Sequence, residues 1–351
     1  MSAPTRRGLA VVCAAIATSV AGMSAQLPPV VRALTESWPT TEKIDGIEIV
    51  PVLKHVYMLV GAGANVTVQI GDQGVTLVDA GSTGKSDAVI AAVRHLTPKP
   101  IRYLVDTGPD ADHIGGNAAI VKAAGGLLGG GTGGANVGGG GGGNAALNQN
   151  VGVMTVSHEN AANRLSRGGA GFPALTGDAI PFSTFFTRRK DLYLNGEPIE
   201  LRWQQAAHTD GDIFVFFRGS DVVSVGDVYL PDSYPHIDLA RGGSVQGEID
   251  ALNAIIDITV PERNQMGGTR VVPGHGRLAN EADVVEYRDM MTIVRDRVRD
   301  MVKKGMTVDQ VKAARPTLEY DGIYGTDKSW TGAMFIDTLY RDLSQKKGAG
   351  K

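Results

Sequence analysis

Short β-branched runs that end in glycine-containing turns are the feature that most constrains how this chain can fold. The run at 101–105 leads into a turn that contains Asp112 and His113, and later runs lead to His208 and His275. Runs of this kind, broken by glycine, are typical of buried β-strands. Because loops converge at the ends of strands, we expect the aspartates and histidines of these turns to lie close together.

The order of the predicted elements indicates an α/β chain with two strand-rich halves. In the first half, strands are predicted at 47–50, 56–60, 65–70, 75–79 and 101–105, with a helix at 87–96. Between the halves, helices at 117–124 and 159–166 flank a strand at 151–156. In the second half, strands are predicted at 192–194, 199–203, 213–217, 222–225 and 269–272, with a helix at 246–256. The amphipathic pattern that follows predicts a C-terminal helical extension at about 281–351.

Six candidate metal ligands follow these predicted strands: Asp110, Asp112, His113, His208, Asp227 and His275. Imidazole nitrogens and carboxylate oxygens together suit zinc (Zn²⁺), and they also accept iron or manganese. The single cysteine of the chain, Cys13, lies close to the N-terminus and far from every candidate ligand in the sequence. We therefore expect a metal site that is built from nitrogen and oxygen ligands, without a thiolate.

Other polar residues near these turns are expected to support the site. Asp79, Asp210 and Asp212 would cap the turns or orient a histidine. His236 lies in a loop shortly after Asp227, and because that loop would overhang the site, His236 is a candidate for contact with a substrate. The remaining histidines are expected to be structural: His55, His95 and His158.

At the candidate ligands the chain resembles the metallo-β-lactamase superfamily of metallohydrolases. The segments that carry the resemblance are 75–81, 207–212, 226–227 and 272–276, and it extends from about Ile47 to the C-terminal helices. The resemblance implies an α/β (α+β) fold, a four-layer αββα sandwich with a metal site at one edge. It also implies hydrolysis of a small-molecule substrate by a metal-bound water or hydroxide, at an ester, lactone, amide or β-lactam-type bond.

The signature loop of that family, His-x-His-x-Asp-His, is incomplete in this chain. Its four positions fall on Gly108, Asp110, Asp112 and His113, so the first histidine is replaced by glycine and the second by a carboxylate. In the family, the first two positions belong to one metal site and the last two belong to the other. The departure therefore falls on one metal site and leaves the other whole.

We name the two sites by the ligands that the resemblance assigns to them. The second site consists of Asp112, His113 and His275, with Asp227 as a ligand that bridges both sites. The first site keeps His208, a share of Asp227 and, if its carboxylate binds, Asp110.

From these assignments we expect one tightly bound metal ion and a second that is weak or absent. Asp112 would bind metal and accept a proton, and either His208 or Asp110 would act as a general base. The alternatives are a degenerate, non-catalytic member that binds a metal or ligand, and a mononuclear iron oxidoreductase of the same fold.

The N-terminus predicts export. Arg6 and Arg7 precede an alanine-rich apolar run that extends to about Ala25, which is the layout of a cleaved signal peptide. The arginine pair also resembles a twin-arginine signal. We therefore expect a signal peptide at 1–25, one domain at 26–351, and a periplasmic or extracellular protein without a stable membrane anchor. The formal net charge is −3, with both signs interspersed, so no basic face for nucleic acid is expected.

Residues 125–143 are almost entirely glycine and other small residues, which are costly to order, and they predict a flexible surface insertion. The sequence Gly-Gly-Asn-Ala-Ala of residues 115–119 is repeated at 142–146. A slipped duplication would explain both the repeat and the excess of glycine. A tolerated linker is the simpler interpretation of this segment, and a mobile lip near the active site is the alternative.

Overall fold

Two β-sheets form the centre of the computed structural model, which describes residues 41–126, 152–168, 174–265 and 267–348. The eight strands of the first sheet follow the order of the chain: β1 (Glu42–Ile44), β2 (Ile47–Leu53), β3 (Val56–Val60), β4 (Val66–Gly71), β5 (Gly74–Val78), β6 (Ile101–Val105), β7 (Met154–His158) and β8 (Ser183–Phe185). Neighbours from β1 to β5 are antiparallel, and β5 to β8 are parallel.

The second sheet has six strands: β9 (Arg189–Leu194), β10 (Glu197–Trp203), β11 (Ile213–Phe217), β12 (Val222–Ser224), β13 (Arg270–Val272) and β14 (Ala279–Asn280). β9 to β12 form an antiparallel meander, β13 pairs with β12 in parallel, and β14 is antiparallel to β13. The β9–β10 hairpin turns at Asn195 and Gly196, whose φ angles of 55° and 80° suit the tight two-residue turn that an Asn-Gly pair favours.

Helices lie on both sides of the paired sheets. They are α1 (Ser86–Leu96), α2 (Ala111–Ile114), α3 (Asn117–Ala123), α4 (Glu159–Arg167), α5 (Val245–Ile258), α6 (Glu281–Lys303), α7 (Val308–Ala313), α8 (Asp321–Tyr324) and α9 (Gly332–Gly348). Helix α6 begins at a capping box, in which Asn280 and Asp283 each accept a hydrogen bond from the backbone N–H of the other. Among the described residues, no helix combines the length and the hydropathy that a bilayer span requires.

Three apolar clusters define the layers. One cluster joins α1 and α3 to the first sheet, with Val93 and Ile120 packed near Leu77. The cluster between the sheets includes Val78 from the first sheet and Val215 from the second. A third cluster packs α5, α6 and α9 against the second sheet. Leu77 and Val78 are neighbours in β5, so their side chains point to opposite faces of the sheet. Because the two residues belong to different apolar clusters, both faces of this strand are buried. The expected α/β four-layer αββα sandwich is confirmed.

Backbone hydrogen bonds tie the loops of the two sheets together at one edge of the sandwich. The N–H of Asn65 donates to the carbonyl of Gly274 at 2.7 Å, and the N–H of Ile213 donates to the carbonyl of Thr107 at 2.8 Å. The ends of β5, β6, β12 and β13 therefore open onto the same edge. The predicted signal peptide at 1–25 and most of the glycine-rich insertion at 125–143 lie outside the described residues.

Candidate metal centre

Asp112, His113 and His275 form one group at this edge. The first two lie in α2, one short loop after β6, and His275 follows β13. One ligand atom from each side chain lies within 4.8 Å of the other two, and His275 Nε2 is 3.1 Å from Asp112 Oδ2. His113 is buried, whereas the side chains of Asp112 and His275 are each 40% exposed. The structure thus brings together the three residues of the second site.

Asp110, His208 and Asp227 form a neighbouring group, again with ligand atoms within 4.8 Å of one another. His208 Nε2 lies 3.2 Å from Asp110 Oδ2. Asp227 follows β12, and its Oδ1 lies 3.1 Å from His113 Nε2 and 3.6 Å from His275 Nε2. Asp227 therefore lies between the two groups, and Asp110 converges with the residues of the first site.

Asp79 orients His113. Its Oδ2 lies 2.8 Å from His113 Nδ1, and the backbone N–H and the hydroxyl of Thr107 both donate to the same carboxylate. Asp79 itself has a φ of 65°, which the turn after β5 requires. With the Nδ1 proton donated to Asp79, Nε2 is the nitrogen that faces Asp227, 3.1 Å from its Oδ1. A carboxylate behind a histidine is a common arrangement at metal sites, because it fixes both the tautomer and the ring orientation.

His208 is oriented by a main-chain group, since its Nδ1 donates to the backbone carbonyl of His236. Asp212 caps the loop that carries His208, where it accepts the backbone N–H and the hydroxyl of Thr209, both at 2.6 Å. Asp210, which was expected to cap that turn or to orient His208, has a different side-chain partner. Its carboxylate pairs with Arg164 at 2.7 and 2.6 Å.

Gly108 faces the first site without contributing a ligand atom. A β-carbon on Gly108 would lie 3.4 Å from Asp212 Oδ1 and 3.8 Å from Asp110 Oδ2, which are ordinary contact distances. The replaced histidine position of the signature loop therefore borders the first site, where there is room for a β-carbon.

Arg241 is a component of the site that the sequence did not reveal. Its Nη2 lies 2.6 Å from Asp110 Oδ1, and its Nε lies 2.7 Å from Asp238 Oδ2. The only local signal is an arginine in a turn that ends at Gly242 and Gly243. Because Asp110 and Arg241 are 131 residues apart, the fold alone brings this ion pair together.

Imidazole–carboxylate pairs balance the charges of both sites. Burial opposes ionisation of Asp227, but the charge and hydrogen bond of His113 and the charges of the other histidines hold the pKa of Asp227 below its usual range. Burial also opposes ionisation of Asp110, yet the hydrogen bond from His208 and the charges of His208 and Arg241 lower the pKa of Asp110 to about 2. Although burial acts to lower them, the pKa values of His113 and His208 are raised well above the usual value by the adjacent carboxylates. A metal ion would therefore compete with protons for these atoms.

Three distances between ligand atoms of the second site are close to those around a single small divalent ion. Zinc ligands at about 2.0–2.1 Å in tetrahedral geometry lie roughly 3.3 Å from one another. The distances that Asp227 Oδ1 makes with His113 and His275 are 3.1 and 3.6 Å, and His275 Nε2 is 3.1 Å from Asp112. Two imidazoles and two carboxylates suit zinc, iron or manganese.

A pocket of about 780 Å³ opens over both sites. Asp110, Asp112, His208, Asp227 and His275 lie on its polar side. Its other walls include apolar residues from the loops after Asp227 and from the C-terminal region: Leu230, Ile237, Leu239 and Trp330. His236 also lines the pocket, and its ring packs against Trp330 with centroids 4.1 Å apart. Trp330 could not be identified as a pocket residue from the sequence, because the C-terminal pattern indicated helices alone.

Comparisons with known proteins agree with this architecture. The family model described as the metallo-beta-lactamase superfamily matches residues 60–275. The solved structure of the stereoselective inverting sec-alkylsulfatase Pisa1 from Pseudomonas sp. superposes with a TM-score of 0.59 at 16% identity, over 84% of this chain and 49% of that one. A double mutant of the same sulfatase gives a TM-score of 0.57 at 15% identity, over the same shares.

A metallo-beta-lactamase from Pontibacter korlensis gives a TM-score of 0.48 at 14% identity, over 72% of this chain and 98% of that one. No curated protein matches the chain significantly. This chain spans about half the length of the sulfatase, and at this level of identity the likeness concerns the fold alone.

Proposed function

Because the chain belongs to the metallo-β-lactamase superfamily, we propose that it is a metal-dependent hydrolase of a small-molecule substrate, with zinc as its metal. The observation that carries the proposal is the convergence of Asp112, His113 and His275, with Asp227 Oδ1 3.1 Å from His113 Nε2 and 3.6 Å from His275 Nε2. The bond attacked is of the ester, lactone, amide or β-lactam type. A sulfate ester joins that group, since a sec-alkylsulfatase shares the fold.

In this proposal His113 and His275 would hold the metal through imidazole nitrogens, and Asp112 and Asp227 would hold it through carboxylate oxygens. When bound, a metal ion would provide a Lewis acid to polarise the substrate and activate water. Asp79 keeps the Nδ1 proton on His113, so the Nε2 lone pair stays available. Asp112 is half-exposed in the pocket and can accept a proton at a carboxylate oxygen.

The first site supplies proton transfer. His208 keeps a proton on Nδ1, which it donates to the carbonyl of His236, so once Nε2 has given up the proton that it shares with Asp110, Nε2 can accept a proton from the attacking water. Asp110 Oδ2, at 3.2 Å, stabilises the imidazolium that forms. His236 and Trp330 line the opposite wall and would contact the apolar part of a substrate.

Metal analysis and a turnover panel test this function together. The protein is dialysed against metal-free buffer, its bound metals are counted, and it is assayed on an ester, a lactone, an amide, a β-lactam and a secondary alkyl sulfate. We expect hydrolysis of at least one class, its loss on chelation, and its recovery with zinc. His275→Ala should abolish it, whereas His95→Ala, at an exposed ion pair with Glu42, should not.

Turnover that survives chelation would contradict the proposal. A metal-loaded protein that is inactive on the whole panel would favour the non-catalytic alternative. Bound iron together with oxygen consumption would favour the oxidoreductase.

Export is also part of the proposal, and it is supported by Arg6, Arg7 and the alanine-rich run that follows them. We expect expression in a bacterial host to give a mature chain that begins near residue 26, in the periplasm or the medium. N-terminal sequencing of the fractions measures this, and an intact N-terminus in the cytosol would contradict it.

A further inference from the structure

We propose that Arg241 keeps this metal centre mononuclear, because it binds the carboxylate that a second metal ion would need. The inference rests on the proposed function, which requires one metal ion in the second site. The guanidinium of Arg241 then provides the positive charge of the first site, which a second metal ion would otherwise provide.

Both oxygens of Asp110 are already bound. Oδ2 lies 3.2 Å from His208 Nε2, and Oδ1 lies 2.6 Å from Arg241 Nη2. Among the ion pairs of the described ranges, the candidate carboxylates Asp112 and Asp227 pair with histidine, whereas Asp110 pairs with both a histidine and an arginine. Unlike an imidazole, a guanidinium does not lose its proton to make way for a metal ion.

The guanidinium is held in place by its own turn. Asp238 accepts Nε of Arg241 at 2.7 Å and also caps the turn, where it accepts the backbone N–H groups of Ala240 and Arg241 at 2.9 Å each. The N–H of Asp210 donates to the carbonyl of Arg241 at 3.0 Å, so the turn is attached to the loop that carries His208. The side chain of Arg241 is 25% exposed, which is consistent with a fixed position.

The first site therefore differs in two ways from a complete metal site of the family. Gly108 removes one ligand, and Arg241 places a positive charge on the carboxylate that replaces another. A divalent ion between His208 and Asp110 would lie close to that charge in a partly buried setting, where like charges repel strongly. The same arrangement leaves His208 Nε2 free of metal, as its role as a base requires.

The test is the number of metal ions per chain when the charge of Arg241 is removed. Arg241→Gln removes the charge but keeps hydrogen-bond donors that can still hold the turn together. Arg241→Met removes both the charge and the donors. A result shared by the two variants can therefore be assigned to the loss of charge and not to a change in the turn. After dialysis against zinc and then zinc-free buffer, we expect about one ion per chain in the wild type and about two in each variant. Cobalt titration followed by visible absorption counts the same sites independently.

Arg164→Gln is the matched control. Arg164 forms an ion pair with Asp210 through two nitrogens, and its side chain is 31% exposed, but Asp210 is not a candidate ligand. The control should keep about one ion per chain.

The outcomes separate the inference from the function on which it rests. One ion in the wild type and still one in both Arg241 variants would overturn the inference and leave the function standing. Two tightly held ions in the wild type would overturn the inference without any variant. A wild type that holds no metal would refute the proposed function itself.

Discussion

His275 and His208 lie at similar strand ends but belong to different sites, and this difference predicts opposite results for metal binding. His275→Ala removes one of the two imidazoles of the second site, so we expect the tightly bound metal to be lost along with turnover. His208→Ala removes the proposed base, so turnover should fall by about 10²–10⁴-fold while one ion per chain remains. Elemental analysis and initial rates measure both. Loss of the tight metal in His208→Ala would reverse the site assignment.

Gly108 offers a way to rebuild the missing ligand. A β-carbon there has ordinary contacts with Asp212 and Asp110, so Gly108→His should fold with a change in unfolding free energy within about 1 kcal/mol. While Arg241 remains, Gly108→His should still hold about one ion per chain. The double variant Gly108→His with Arg241→Gln should hold about two ions per chain, and it should bind the second ion more tightly than Arg241→Gln alone does. Zinc competition against a chromogenic chelator measures the difference. Equal affinities would show that residue 108 does not reach the site.

The pKa of Asp110 gives the metal-free protein a predictable response to acid. Its pKa of about 2 lies below the unfolded value near 3.9, so its ionised form stabilises the fold above about pH 4. That contribution, on the order of 2 kcal/mol, is lost as the pH falls from about 4 towards 2. Asp110→Asn should therefore lower the unfolding free energy at pH 6, with the difference vanishing near pH 2. Urea melts of metal-free protein test this, with Asp191→Asn at an exposed ion pair as the control.

The candidate ligands could be named from the sequence because each one follows an apolar run, and a local pattern is enough to show that. Asp110, for example, could be named from its position in the loop and then converged with His208 in the structure. Arg241 and the carbonyl of His236 could not be named, since their partners lie far away in the chain. Their roles depend on how two loops pack, which no local pattern records.

At the scale of elements, Asn195 joins the two sheets. Its amide nitrogen donates to Gln69 Oε1 and to the carbonyl of Gly74, and its Oδ1 accepts the N–H of Gln73. These bonds attach the β9–β10 hairpin of the second sheet to the β4–β5 turn of the first. Asn195 also adopts a φ of 55°, which alanine tolerates poorly.

Asn195→Ala should therefore lower the unfolding free energy by about 2 kcal/mol and leave the metal count unchanged. Chemical denaturation measures the first quantity, and elemental analysis measures the second. Asn264→Ala, at an exposed turn, should shift stability by less than about 0.5 kcal/mol. Equal effects of the two substitutions would mean that the contact between the sheets does not depend on Asn195.

The longer strands and helices could be predicted from periodicity, and most lie within one or two residues of the expected bounds. Helix α5, expected at 246–256, spans Val245–Ile258, and β7, expected at 151–156, is described as Met154–His158. Strands β1, β8 and β14 were not predicted, because they have only three, three and two residues and, unlike β12 and β13, contain no pair of adjacent valines. Such short strands are defined by the hydrogen bonds of a partner strand and carry no readable alternation.

At the scale of the whole molecule, the two halves of the sandwich contribute side chains to the same candidate metal site. Asp112 and His113 come from the first sheet's loops, and Asp227 and His275 come from the second sheet's. Backbone bonds between Asn65 and Gly274 and between Thr107 and Ile213 close the same edge. A metal ion bound there would bridge the halves, so its binding energy would act on the stability of the whole domain.

This coupling predicts that thermal stability depends on metal concentration. An ion that binds the folded chain alone, at about 1,000 times its Kd, adds roughly 4 kcal/mol of stability, which corresponds to a rise in Tm on the order of 5–10 °C. Calorimetry of the chelated protein with increasing zinc should show this rise. His275→Ala should fold and lose most of the rise, because one imidazole of the second site is gone. His208→Ala should keep it, since the second site is intact. An equal rise in wild type and His275→Ala would place the stabilising ion elsewhere in the molecule.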